Sequence, residues 1–187
     1  MSRLLILAIF STIFISAKPN TFDIGQVIDS FNGVKVYYNG KNFKNVSGRN
    51  VTKDGYNLGL KYQCVEYVKR YYHNVYNHKM PNSYGHAKDL FDNTLPDVAF
   101  NIERGLMQYR NVRYEKPLVG DILVYNSSHR NPYGHTGIIT EVSDTHIEFV
   151  QQNFGEKTRQ KLKLVEFNGI YTIADYNILG WLRLPTN

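Results

Sequence analysis

The chain has 187 residues, 42% hydrophobic and 20% charged, which suits one globular domain with a real core and leaves little room for a second. Its formal charge is +6, which favours anionic polymers or surfaces. The chain lacks Lys/Arg runs, zinc-finger spacing and the RNA-binding aromatic signature, so a nucleic-acid partner is not expected.

Arg3 precedes an apolar run from Leu4 to Ile15, followed by Ser16-Ala17-Lys18-Pro19. A positive start, a short apolar stretch and a small residue at a cut site read as a cleavable export signal over residues 1–17. The run is shorter than the ~20 residues of a membrane span, and no cysteine follows the cut to carry a lipid. A secreted or periplasmic protein without a stable membrane anchor is the expectation.

Residues 18–54 form a lead-in rich in Asn, Gly and Lys, with short apolar patches such as Val34-Lys35-Val36-Tyr37-Tyr38 that read as strand fragments. They belong to the same domain as residues 55–187. A helix is expected over 63–75, where Val65, Val68, Tyr72 and Val75 recur at helical spacing. Further helices are expected around His86–Asp92 and Phe100–Tyr109. From Gly120 the pattern turns to strands: Asp121–Tyr125, Thr136–Val142, Ile147–Asn153 and a closing Ile178–Leu184. Ser143-Asp144-Thr145 supplies the turn of the central hairpin. Helices first and an antiparallel sheet afterwards make an α+β domain.

Cys64 is the only cysteine. An exported protein meets oxidising conditions, and a lone thiol there is either a small buried hydrophobe or a nucleophile. In the first turn of a helix, free N–H groups and the positive dipole end favour its thiolate. A three-residue hairpin loop would set Val142 opposite His146, Gly137 opposite Gln151 and His135 opposite Asn153. His135, Gln151 and Asn153 then share one face, and a slip of one residue would separate them. A cysteine hydrolase needs this set. Cys64 attacks a carbonyl, His135 moves the proton, and Gln151 or Asn153 orients the imidazole. The Cys64 N–H is positioned to stabilise the oxyanion, with Gln63 as a further support residue. The remaining histidines show no metal spacing, and Asp54-Gly55 lacks the alternating acidic ligands of a calcium loop. No metal or other cofactor is expected.

Four segments resemble the CHAP family of cysteine- and histidine-dependent amidohydrolases/peptidases. They are Tyr62-Gln63-Cys64-Val65-Glu66-Tyr67, Gly120-Asp121-Ile122-Leu123, Gly134 to Val142, and Gln151-Gln152-Asn153-Phe154. Within that family the likeness is strongest to the amidase domain of glutathionylspermidine synthetase/amidase and its trypanothione-enzyme relatives. The resemblance spans about residue 55 to 184. It implies a papain-like fold with N-terminal helices packed on a C-terminal sheet, with Cys64 as nucleophile and His135 as base. Such relatives usually carry Glu where this chain has Gln151. Two substrate classes follow from the resemblance: peptidoglycan, or small glutathione–polyamine amides. The export signal, the basic charge and the lack of a synthetase domain lean toward peptidoglycan. A non-catalytic wall-binding module on the same fold is the rival expectation.

Overall fold

In a computed structural model, residues 22–186 are described; the expected signal segment, residues 1–17, lies outside them. Two small hairpins come first. Strands β1 (Val27–Phe31) and β2 (Val34–Tyr37) pair, as do β3 (Arg49–Val51) and β4 (Asn57–Leu60). Helix α1 (Cys64–Tyr76) follows. It ends where Asn77 turns left-handed at φ 52°, a conformation that Asn tolerates well. Eight further strands make one antiparallel sheet. They are β5 (Ala99–Asn101), β6 (Leu106–Arg110), β7 (Ile122–Tyr125), β8 (His135–Val142), β9 (His146–Gln151), β10 (Arg159–Phe167), β11 (Ile170–Ile173) and β12 (Ile178–Arg183). Their order is β11-β10-β9-β8-β7-β12-β6-β5. The domain is α+β, as expected, but the sheet dominates it.

The expectation of several N-terminal helices is corrected. Among the described residues α1 is the one α-helix, and residues 86–92 hold only a single 3₁₀ turn, Lys88–Leu90. The expected helix at Phe100–Tyr109 is the hairpin of β5 and β6. Gly105 takes φ 65° in its turn, and β6 pairs with β12. Gln108, buried in β6, donates to Asp92 O and accepts from Asp92 N–H, both at 2.8 Å. Sheet pairing at long range therefore overrides a local helical spacing.

Alternation along the strands splits the core in two. Ile122, Val124, Ile138, Val150 and Leu182 pack with Tyr67, Val68, Tyr71 and Tyr72 of α1. Leu123, Ile139, Phe149, Leu164 and the fully buried Trp181 form a second cluster on the opposite face. That face is closed by curvature. Arg113 and Tyr171 exchange backbone hydrogen bonds, and the Asn111 side chain donates to Ile173 O and accepts its N–H. β11, at one edge, thus returns to the segment after β6, and the sheet curls toward a barrel. The expected closing strand, β12, lies within the sheet between β7 and β6.

The β8–β9 hairpin positions the site. Gly137 opposes Gln151 and Ile139 opposes Phe149, the expected pairing. The turn end differs: Val142 opposes Ile147, not His146. Ser143 N–H donates to His146 O, and Ser143 Oγ accepts from the His146 and Thr145 N–H groups, which lengthens the turn. A bulge between Ile139 and Glu141 absorbs the extra residue and restores the register toward His135. Two offsets cancel.

Close approach explains one glycine of the Gly134-His135-Thr136-Gly137 segment. A Cβ on Gly137 would lie 2.6 Å from Val150 O and 2.7 Å from the Phe149 ring. Gly137→Ala should therefore destabilise the domain by about 1–3 kcal/mol, read as a lower urea midpoint. An unchanged midpoint would show that the hairpin yields at no cost.

Candidate active site

Three elements converge on one cleft of about 890 Å³. Cys64 opens α1, His135 opens β8, and Asn153 follows β9; all three line the cleft. Gln151 lies behind His135 and is buried.

Cys64 is 8% exposed. It sits at the first helical position, where N–H groups have no intrahelical acceptor. Burial pushes its thiol up to about 11, against the backbone N–H groups of Thr136, Val65 and Cys64, which favour the thiolate. Thr136 directly follows His135, so the sulfur lies against the start of β8.

His135 Nε2 and Gln151 Oε1 are 2.8 Å apart. Gln151 Nε2 donates to Lys157 O at 3.2 Å, which fixes the amide with its oxygen toward the ring. The oxygen can only accept, so Nε2 carries the proton and Nδ1 keeps a free lone pair. Burial lowers the His135 pKa to about 4, and the Gln151 bond opposes this. The Phe154 ring lies 5.6 Å from the imidazole. Burial thus opposes charge on both the thiol and the imidazole.

The other expected residues take different places. Asn153, at φ 66°, points its hydrogen bonds away from His135. Its amide donates to Phe43 O at 2.8 Å and to Gln63 Oε1 at 2.5 Å, and its oxygen accepts from Asn39. Gln63 spends its amide hydrogens on Phe43 O and Asn45 O. Together they fasten the 43–45 loop as one wall of the cleft. Asp121 lies outside the cleft, bound to Arg183 at 2.6 Å.

Gln152 was not singled out in the sequence. It is buried, accepts the Tyr37 N–H at 2.8 Å, and donates to Gln63 O at 3.0 Å and Glu66 Oε2 at 2.8 Å. Glu66, also buried, is paired with Arg70 at 2.6 Å and accepts from Asn50. Strand alternation could have shown Gln152 facing away from Gln151, but not what it would meet. Arg49 of β3 and Lys41, Lys44, Tyr84, Arg130 and Tyr133 of loops also reach the cleft, from segments that carry no local signal. The described residues hold no cluster of potential metal ligands.

Comparison with known proteins adds an independent line. The family model described as CHAP domain matches residues 52–153, a span that holds Cys64, His135, Gln151 and Asn153. Trypanothione synthetase of Crithidia fasciculata is 29% identical over 180 residues, covering 90% of this chain and 28% of that protein. The bifunctional glutathionylspermidine synthetase/amidase of Escherichia coli (strain K12) is 27% identical over 138 residues, covering 67% of this chain and 22% of that protein. The chain therefore spans less than a third of the length of these relatives.

The opposition of burial to charge on both groups has a pH signature. Iodoacetamide alkylation of Cys64 should climb about tenfold per pH unit between about pH 6 and 9, without a plateau, because only the thiolate reacts. Gln151→Glu places a carboxylate on the Nε2–H, which raises the His135 pKa and stabilises a thiolate–imidazolium pair. That variant should gain a reactive shoulder near neutral pH. A plateau near neutral pH in the unaltered protein would show that burial does not keep the thiol protonated.

Proposed function

The chain belongs to the CHAP domain family, and on that premise we propose that it is a cysteine amidohydrolase whose nucleophile is Cys64 and whose base is His135. The observation that carries this reading is the Gln151 bond to His135 Nε2. It leaves Nδ1 free in a cleft that Cys64 also lines from the start of α1.

In the proposed cycle, Nδ1 takes the Cys64 proton as sulfur attacks the amide carbon. The C–S bond forms, and the oxyanion accepts a hydrogen bond from the Cys64 N–H. Both amide hydrogens of Gln63 are already committed, so its part, with Asn153, is to hold the wall. The imidazolium then gives its proton to the amine nitrogen, the C–N bond breaks, and an acyl-thioester remains. Water, deprotonated by His135, attacks the thioester; the acid leaves and the thiol is restored. Gln151 holds the required tautomer throughout. As a neutral amide it orients the ring without stabilising its charge. The ion pair therefore forms only as the reaction proceeds, at some cost in rate.

For the substrate we propose amide bonds of peptidoglycan, reached after export. The signal-like residues 1–17 and the +6 charge support this. A second reading has its own support: one relative is named a glutathionylspermidine synthetase/amidase, which favours small glutathione–polyamine amides. No helix of the described residues is long and apolar enough to cross a membrane.

Digestion of purified peptidoglycan, read by mass spectrometry, tests the proposal. New amine and carboxyl termini should appear with the unaltered protein. They should fall by about 10³-fold or more in Cys64→Ala and His135→Ala. Cleavage only of glutathionylspermidine would select the second reading. Full turnover by Cys64→Ala would overturn the mechanism.

A further inference from the structure

The charge around the cleft is one-sided. Lys41, Lys44 and Arg49 line it from the segment before β4, and Arg130 lines it from the loop before β8. All four are exposed. The ion pairs found among the described residues engage none of them. Arg49 is held in place: its guanidinium donates to Asn57 Oδ1 at 2.9 Å and lies 5.9 Å from the centre of the Tyr84 ring. Asp89 is the acidic residue of the lining, and its Oδ2 accepts the His86 N–H.

Two buried cations stand behind this lining. Lys69 donates to Asn57 O and Ser83 O, and Arg104 donates to Asn82 O, Tyr84 O and Asp89 O. Both donate to backbone carbonyls and neither is ion-paired with a carboxylate; Arg104 Nε is buried without a partner. They hold the 82–85 segment, whose Ser83, Tyr84 and Gly85 line the cleft. Burial, together with repulsion from Arg104 and Arg49, pulls the Lys69 pKa down to about 8.

Uncompensated cations around a partly enclosed cleft concentrate anions, and arginine forks match carboxylates in particular. From this we infer that the cleft selects amide substrates bearing carboxylates beside the scissile bond, that is, acidic peptides, and disfavours a polycationic group against the 41–49 wall. The inference rests on the reading of Cys64 as nucleophile.

Iodoacetate and iodoacetamide test it without a known substrate. Each forms a C–S bond at Cys64 and releases iodide, and they differ by one carboxylate. The ratio of iodoacetate to iodoacetamide rates should be about fivefold higher in the folded protein than in the urea-unfolded chain at low salt. It should fall toward the unfolded value in about 0.5 M salt, and in the Lys41→Gln/Lys44→Gln/Arg130→Gln variant. Comparing rates as a ratio cancels any change in thiolate content. A folded ratio equal to the unfolded one, or one insensitive to salt, overturns the inference and leaves the nucleophile standing. Failure of both reagents on the folded protein overturns the nucleophile reading and this inference with it.

Discussion

Everything at the site depends on two consecutive glutamines at the end of β9. Strand alternation turns their side chains to opposite sides. Gln151 reaches His135, and Gln152 reaches Gln63 O and Glu66 at the start of α1. A single stretch of backbone therefore sets both the imidazole and the helix that carries the thiol. Gln152 also holds Tyr37 of the first hairpin, so the lead-in segment is part of the same construction. Gln151, Gln152 and Glu66 are buried, where an unpaired partner would cost about 1–3 kcal/mol. That cost makes the arrangement strict.

The same burial shapes the chemistry. It disfavours charge on both reacting groups, raising the thiol and lowering the imidazole. The N–H groups around Cys64 act the other way but do not prevail. In the proposed reaction, charge develops together with bond formation, in a cleft whose lining is positive. An approaching carboxylate would lower that field, while the oxyanion would be stabilised by it. The neutral Gln151 is consistent with a site that orients the ring by hydrogen bonding and leaves charge stabilisation to other groups.

How much could be read beforehand varied by residue. The helix at Cys64 was legible because its period is local, and so was the β8–β9 pairing of Gly137 with Gln151. The pairing came out right although the turn was longer than expected, because the bulge restored the count. The stretch from Phe100 to Tyr109 was misread because its partner, β12, lies some seventy residues away. Nothing local announces such a partner. Asn153 was placed in the right neighbourhood, but its left-handed backbone turns it toward Gln63 and Phe43 rather than His135.

The amino-acid sequence by itself determined the chemical groups available and the family to which they belong: one thiol at a helix start, one histidine at a strand start, and an amide two-strand partner. These follow from side-chain identity and short-range periodicity, which act over a few residues. Only the tertiary structure decided which nitrogen of His135 is free, that desolvation opposes charge on both thiol and imidazole, and that Gln152 is the staple to the helix start. It also decided that cations from four separate segments surround one cleft. Those properties come from desolvation and from contacts between residues as many as 115 positions apart, and no local pattern encodes them.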